Sequence, residues 1–323
     1  MKTSNSITPR LICASLLASV LCACAPSSYN ISAPSPSAIT YEKTSNKAKT
    51  INVVDARVDT DKTFHSGILQ STLQFDGVAI DPIPFLLSHA QAELRSRGLP
   101  ITLTQNSTGS VAVRSFKMQN HRSNGYSPYV SLTSFSADLK TKQGVKRIAG
   151  FIKRGKVPVW SFDEVIEPTM NEPLALAVQE FASKLNNALY GHKASNSDVD
   201  NLAKLAKSNT DGKAYLKVYE LGFTNNKRAV NTIVELLDSK DEYKRLAAIS
   251  SLGTLRATDQ VSRLKEIATN GKIWQDRAMA LKSLGDINTK ETTNFLTAER
   301  ERFSNKKGKE ALWSTGIINL YLP

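Results

Sequence analysis

Residues 50–191 combine two hydrophobic periods, which predicts a mixed α and β unit. Stretches such as "TINVVDARVD" and "YVSLTSFSADLKT" are rich in β-branched and aromatic residues and indicate strands. In "STLQFDGVAI", the pair Asp76-Gly77 lies between alternating apolar residues and predicts a two-residue hairpin. Two longer stretches, residues 82–98 and 172–189, carry apolar residues at helical spacing. This order of elements predicts an α+β fold with an antiparallel-rich sheet and two helices.

The second half of the chain repeats one pattern. The stretches "AYLKVYELG", "RLAAISSLG", "RAMALKSLG" and "EALWSTG" end at glycines spaced 31, 32 and 31 residues apart, namely Gly222, Gly253, Gly285 and Gly316. An aliphatic residue precedes each glycine by four positions, and a second apolar-periodic stretch follows each of the first three. Such a unit cannot bury its apolar face alone, so stacking into an all-α solenoid is predicted.

A polar stretch over residues 191–198 separates the two patterns and has the composition of a linker. We therefore expect an α+β domain over residues 40–192 and a helical solenoid over residues 196–323, each able to fold alone.

The N-terminus has the pattern of a secretory signal. Lys2 and Arg10 precede an apolar run over residues 11–21, which is shorter than the roughly 20 residues that a membrane-spanning helix needs. The run ends in "LCAC". This resembles the bacterial lipobox, in which a signal peptidase cuts before a cysteine that carries diacylglycerol. The alternative is an ordinary signal peptide with incidental cysteines.

The lipobox resemblance implies a signal peptide over residues 1–23, cleavage between Ala23 and Cys24, and lipidation of Cys24. A polar, Pro- and Ser-rich tether is expected over residues 24–39. Cleavage leaves one cysteine in the mature chain, which excludes an internal disulfide and a cysteine metal site. The second residue after the cut is Ala25, and the absence of the aspartate that retains lipoproteins in the inner membrane favours an outer-membrane lipoprotein that faces the periplasm.

Each half also resembles a known family. Residues 40–191 contain the strand "INVVDARVDTD", the helix-to-strand connection "FLLSHAQAELRSRGLPI" and the hairpin "VSLTSFSADLKTKQGVKRIAGFI". Through these three features, residues 40–191 resemble YajG-like envelope lipoproteins. That resemblance implies a sheet with helices on one face and implies no catalytic residue. The phrases "AAISSLGTL" and "AMALKSLGDI" resemble the short HEAT repeats of phycobilin-lyase-type proteins over residues 200–323.

The chain is basic, with 42 Lys and Arg against 29 Asp and Glu, and without Lys2 and Arg10 the formal net charge is +11. For an exported lipoprotein, anionic lipid headgroups, lipopolysaccharide or peptidoglycan are nearer partners than nucleic acid. A generally basic proteome would explain the charge equally well. The stretch "KRIAGFIKRGK" holds five candidates for anion or headgroup contact, with a solvated sheet edge as the preferred alternative: Lys146, Arg147, Lys153, Arg154 and Lys156.

Nothing in the sequence predicts a metal or a cofactor. Asp55, Asp59 and Asp61 cluster in "DARVDTD", but the spacing lacks the glycine and closing glutamate of a calcium loop. The four histidines are scattered, and no nucleophile elbow, phosphate loop or dinucleotide fingerprint occurs.

The C-terminal segment "ALWSTGIINLYLP" crowds apolar residues where no second helix follows. Either it folds back onto the rest of the chain, which is the preferred interpretation, or Trp313, Ile318 and Tyr321 form a docking site for a partner.

Three functions remain open at this point. The leading expectation is a protein-binding adaptor or assembly factor in an envelope complex, because repeat solenoids present extended surfaces to partner proteins. An accessory protein of a lipid-transport system comes second, and an apolar groove in the α+β domain would favour it. A lyase-type enzyme is a third and weaker alternative, since it rests on analogy of fold alone.

Overall fold

The computed structural model describes residues 27–42, 47–68, 71–124, 126–156, 163–208 and 212–322 of the 323-residue chain. The proposed signal peptide, Ala23 and Cys24 lie outside these residues. The first half is rich in strands and the second half is entirely helical, as the two hydrophobic patterns predict.

Eleven strands are present in the described part of the first half and the junction. Their bounds are β1 Ser27–Asn30, β2 Tyr41–Glu42, β3 Lys49–Asp55, β4 His65–Gly67, β5 Ser71–Phe75, β6 Val78–Ala79, β7 Ile101–Gln105, β8 Val111–His121, β9 Tyr129–Thr141, β10 Gly144–Lys156 and β11 Lys193–Ala194. The predicted hairpin joins β5 and β6, and Asp76 and Gly77 have φ values of 50° and 75°. Both angles are left-handed, as a tight hairpin turn requires.

The main sheet has the strand order β10-β9-β8-β3-β7, and β4 also pairs with β8. The long ladders β10/β9 and β9/β8 are antiparallel, whereas β3 pairs in parallel with both β7 and β8. The sheet is therefore mixed, with its antiparallel part at the β10 side. Two helices, α1 Pro82–Ser96 and α3 Glu172–Leu189, pack on one face of it. A short helix, α2 Asp163–Ile166, leads into α3 through a π-helical turn over Glu167–Asn171.

The expected tether is shorter than predicted. From Ser27 onward the chain is packed, because β1 pairs in parallel with β5 and Ile31 is buried. Further along, Ser37 N donates to the carboxylate of Glu93 at 2.7 Å. These backbone hydrogen bonds and the burial of Ile31 hold the segment against the sheet and its helices.

The second half stacks helices in two layers. One layer contains α5 Ala214–Phe223, α7 Glu242–Thr254, α9 Trp274–Ile287 and α11 Lys309–Tyr321, and the other contains α4 Asn196–Lys207, α6 Ala229–Glu235, α8 Val261–Asn270 and α10 Lys290–Ser304. The first three repeat glycines lie in the first layer. Ser251 Oγ donates to the carbonyl of Val218 at 2.9 Å, and one repeat later Ser283 Oγ donates to the carbonyl of Ile249 at 2.6 Å. The same bond recurs because α5, α7 and α9 follow one another in one register.

The glycines permit this close approach. A Cβ built on Gly253 would lie 2.5 Å from Ser283 Cα, and one built on Gly222 would lie 2.7 Å from Ser251 Cβ. In α11 the pattern ends. A Cβ on Gly316 would meet nothing within 4 Å, and Leu312 is 71% exposed although its equivalents in the first three repeats are buried. The fourth unit therefore has the repeat sequence without the repeat packing.

This difference gives a matched pair of variants. Gly253→Ala is expected to lower the free energy of unfolding by about 1–3 kcal/mol, because the added methyl forces two helix backbones apart. Gly316→Ala is expected to raise it by about 0.5–1 kcal/mol, since alanine is the better helix former and no neighbour is displaced. Urea denaturation of both variants measures the difference, and equal effects would contradict the close packing at Gly253.

The junction between the halves is buried and polar. Residues 191–198 do not form an exposed linker, because His192 and Ala194 are fully buried and β11 pairs with β2. Lys282 of α9 and Lys184 of α3 share two carboxylates, Glu180 and Asp286, at nitrogen–oxygen distances of 2.5–2.7 Å. Their side chains are at most 10% exposed. The two halves thus meet through a buried contact of charged groups, and independent folding of residues 40–192 and 196–323 stays a prediction.

Candidate functional site

A cleft of about 890 Å³ opens where the end of the antiparallel sheet meets the first layer of helices. We call it the junction cleft. Its walls combine aromatic rings with charged side chains, chiefly His121, Lys153, Arg154, Lys156, Glu172, Lys213, Tyr215, Glu242, Tyr243, Trp274, Lys309, Glu310 and Trp313. Pockets at such junctions, with a few placed polar groups, are the usual sites of ligand binding.

Arg154 forms the base of the junction cleft. Its guanidinium carbon lies 4.2 Å from the ring centroid of Tyr215 and 4.0 Å from that of Tyr243. Its Nη2 donates to Glu172 Oε2 at 2.6 Å and to Tyr215 Oη at 2.7 Å, and Tyr215 in turn donates to Glu172 at 2.6 Å. Burial raises the pKa of Tyr215, so its hydroxyl stays protonated and keeps this donor role.

The neighbouring lysine is fixed in the same way. Lys153 is 6% exposed, and its Nζ lies 2.5 Å from Glu242 Oε1 of α7. Tyr243, also of α7, donates from its hydroxyl to the carbonyl of Gly155 at 2.7 Å. Both contacts join the end of β10 to the helical half, so the base of the cleft is rigid and its charges are paired.

The opposite rim is aromatic. The rings of Trp274 and Trp313 lie 4.8 Å apart, and His121 packs against Trp313 at 5.5 Å. Lys309 Nζ lies 2.7 Å from His121 Nε2, which links the first turn of α11 to the end of β8. Partial burial and the nearby Lys309 lower the pKa of His121, so the imidazole is neutral at pH 7 and accepts this hydrogen bond.

A second concave surface of about 700 Å³ adjoins the junction cleft and shares His121 and Trp313 with it. We call it the α11 groove. One wall is apolar and comes from α11 and the residue after it, through Leu312, Trp313, Ile317, Leu320 and Leu322. The opposite side is the face of the sheet that α1 and α3 leave uncovered, with Arg114, Ser134, Ser136, Arg147 and Phe151 among its residues.

The five basic candidates of β10 have separate environments. The preferred solvated-edge interpretation is wrong for Lys153 and Arg154, which are buried and paired with carboxylates. Arg147 Nε lies 2.5 Å from Asp138 Oδ1, and its Nη1 donates to the carbonyl of Leu320 at 3.0 Å. Lys146 and Lys156 are half-buried. Of these two lysines, Lys156 lines the junction cleft and Lys146 does not. The sequence did not reveal the carboxylates because Glu242 is 89 residues from Lys153.

The fold-back interpretation of the C-terminus is confirmed, and docking through Ile318 is wrong. Ile318 is fully buried, and the hydroxyl of Tyr321 donates to the carbonyl of Ala149 in β10 at 3.3 Å. Trp313 stays half-exposed at the rim of both concave surfaces. Of the three proposed docking residues, Trp313 alone therefore remains placed to meet a ligand.

Trp274, Tyr215 and Tyr243 belong to the site without having been singled out in the sequence. They lie in three different helices of the repeat, and no local pattern connects them. Regarding metals, the described ranges hold no group of three or more His, Cys, Asp or Glu side chains placed to bind an ion. Asp55 is paired with Arg57, and Asp61 with Lys117. Within the same ranges, no helix has the length and hydropathy to cross a bilayer.

The comparison with known families supports the helical half. Residues 199–285, from α4 to the end of the repeat stretch in α9, match the family described as HEAT repeats. The C-terminal part of the chain is therefore HEAT-like. No curated protein matches the chain.

Proposed function

We propose that this protein is an outer-membrane lipoprotein that faces the periplasm and acts as an adaptor or assembly factor in an envelope complex. In this proposal it works by binding, and the junction cleft holds a segment of the partner protein. The observation that carries the proposal is the rim pair Trp274 and Trp313 above a base of fixed charges.

The composition of the cleft favours a protein segment as ligand. Tryptophan, tyrosine and arginine supply most of the binding energy in protein interfaces, and they do so in partly enclosed pockets. Both signs of charge are present for a peptide to meet, since Lys309 and Glu310 lie one turn before Trp313 in α11 and line the same cleft, where Glu310 is 40% exposed although it pairs with Arg277. HEAT-like repeats commonly present such surfaces.

The first test concerns the partner. Trp274→Ala and Trp313→Ala are expected to weaken its binding by about 30-fold or more each, the effect of losing an interface residue worth about 2 kcal/mol. Leu205→Ala on α4 is the matched control, because Leu205 is an exposed apolar residue that does not line either concave surface. Cross-linking in intact cells followed by mass spectrometry identifies the partner, and titration of purified protein then gives the affinities.

The second test concerns the anchor. Cys24→Ser is expected to block lipidation, so that unprocessed precursor accumulates and the protein is lost from the outer-membrane fraction. Cys22→Ser is the control and should be processed normally, because serine is a usual residue at that lipobox position. Normal processing and outer-membrane fractionation of Cys24→Ser would refute the lipoprotein proposal.

A lipid-transport accessory protein is the second candidate. The α11 groove favours it, because five apolar residues of α11 and its C-terminal extension line one side of the groove. Gly316 lies in the same wall with nothing near its Cβ position, so Gly316→Leu should fill the groove without disturbing the fold. Binding of a fluorescent fatty acid to the wild-type protein, and loss of that binding in Gly316→Leu, would favour lipid binding over the adaptor function.

A further inference from the structure

The first described strand begins at one identifiable end of the molecule. Ser27 pairs with Ser71 at the start of β5, and His65 Nδ1 lies 3.0 Å from the carbonyl oxygen of Ser71. On its other side, His65 Nε2 lies 3.0 Å from Asn120 Nδ2, near the end of β8. This chain of contacts places Ser27 at the same end of the molecule as the last residues of β8.

Two large side chains at this end are exposed to solvent. Ile68 directly follows Gly67, which pairs with Asn120 of β8, and Ile68 is 58% exposed. After β8 comes a tight turn in which Ser127 Oγ accepts from the backbone of Asn124 at 2.8 Å, and this turn presents Tyr126 with 99% of its surface exposed. We call Ile68 and Tyr126 the anchor-side tip.

The distance between a lipid on Cys24 and the start of β1 determines how close the anchor-side tip lies to the membrane. Two residues separate Cys24 from Ser27, so their Cα atoms can be at most about 11 Å apart. The headgroup region of a bilayer is roughly 5–8 Å thick on each side. A lipid on Cys24 therefore keeps the start of β1 within about 11 Å of the anchored residue at the headgroups.

We propose that the anchor-side tip sits in the headgroup layer and fixes the orientation of the protein on the membrane. This inference rests on the proposed lipidation of Cys24. The chemistry of the tip suits that position, because tyrosine is enriched at membrane interfaces, where its ring and its hydroxyl meet different surroundings. Lys156, opposite Tyr129 in the β9/β10 ladder, supplies a half-exposed ammonium group at the same end of the sheet for lipid phosphates.

This orientation also narrows the class of partner. Ser123, Ser127 and Pro128 belong to the turn that carries Tyr126, and all three line the junction cleft. The cleft consequently opens beside the membrane surface. Its ligand is then the juxtamembrane segment of a membrane-bound protein, and a freely diffusing periplasmic protein is the alternative that the orientation disfavours.

The test uses the full-length lipidated protein in vesicles of phosphatidylethanolamine and phosphatidylglycerol. A polarity-sensitive fluorophore is attached at Tyr126→Cys, where its aromatic ring replaces that of tyrosine, and at Leu205→Cys on α4 as the control. The probe at position 126 is expected to shift to shorter emission wavelengths and to be quenched by brominated lipid, whereas the probe at position 205 is not. Insertion of a twenty-residue Gly/Ser segment between Pro26 and Ser27 is expected to remove both effects.

Mass spectrometry of the same samples separates the two proposals. Equal water exposure at positions 126 and 205, in a protein that carries its acyl chains, would overturn the placement of the anchor-side tip in the headgroup layer. The lipoprotein proposal would then still stand. Quenching that persists after the insertion would overturn the role of the short connection. Absence of acyl chains on Cys24 would overturn both proposals.

Discussion

Replacing Lys282 by methionine is expected to lower the free energy of unfolding by about 3–5 kcal/mol, the usual cost of removing one partner from a buried ion cluster. Lys282 is fully buried between α9 and α3 and bonds to Glu180, Asp286 and Ser250. Without it, two carboxylates share the single charge of Lys184, and the excess negative charge has no access to water.

The pKa values in the cluster have the same origin. Burial opposes the charged form of Lys282, but Asp286 and Glu180 outweigh it and raise the pKa of Lys282. Burial alone would raise the pKa of Asp286, yet Lys184 and Lys282 lower it below its ordinary value. A carboxyl whose pKa is lowered by folding stabilises the folded state at pH values above its ordinary pKa of about 4. This contribution is therefore present at neutral pH and is lost as the pH falls below about 4.

Chemical denaturation of purified Lys282→Met checks the expectation, with Lys207→Met as the control. Lys207 pairs with Glu235 at the surface, where both side chains are at least half exposed, and such a pair contributes only about 0–1 kcal/mol. If Lys282→Met fails to fold, the double variant Lys282→Met with Asp286→Asn restores the charge balance and should recover folded protein. Equal stability of Lys282→Met and wild type would contradict the burial of the cluster.

Replacing Ile318 by serine is the second large effect, with an expected loss of about 2–5 kcal/mol. Ile318 is fully buried in the core that α11 shares with the rest of the chain, so the substitution leaves a cavity and buries a hydroxyl. The measurement is again the free energy of unfolding in urea.

Leu312 provides the control within the same helix. It is 71% exposed and faces the α11 groove, so Leu312→Ser should change the free energy of unfolding by less than about 0.5 kcal/mol. A similar loss in both variants would mean that α11 packs through a different face. An unchanged stability of Ile318→Ser would restore the docking interpretation of the C-terminus.

Local patterns predicted most of the elements. The turn at Asp76 and Gly77 requires left-handed backbone angles, and the spacing of Gly222 and Gly253 reflects helices that touch one another. Both features are properties of neighbouring residues or of a strict repeat, so the sequence carries them directly. The parallel pairing of β3 with β8 was not predicted, because nothing local distinguishes parallel partners of a short strand.

The site was much harder to predict. Lys153 and Arg154 have the composition of a solvated edge, and only the distant Glu242 and the helix carrying Glu172 make them buried. Trp274 and Trp313 meet because α11 packs beside α9 and also contacts β10 of the sheet. The sequence of α11 resembles a fourth repeat. The stretch "EALWSTG" differs from the first three repeat stretches mainly in which face of the helix is buried.

The most direct test of the adaptor proposal is photo-cross-linking in intact cells from position 275, which lines the junction cleft beside Trp274. A photoreactive residue replaces Gln275 in one strain and the exposed Leu205 in another. The proposal predicts a discrete adduct with one envelope protein from position 275, absent from position 205 and lost when Trp313 is also replaced by alanine. Absence of an adduct from position 275, or the same adducts from both positions, would contradict it.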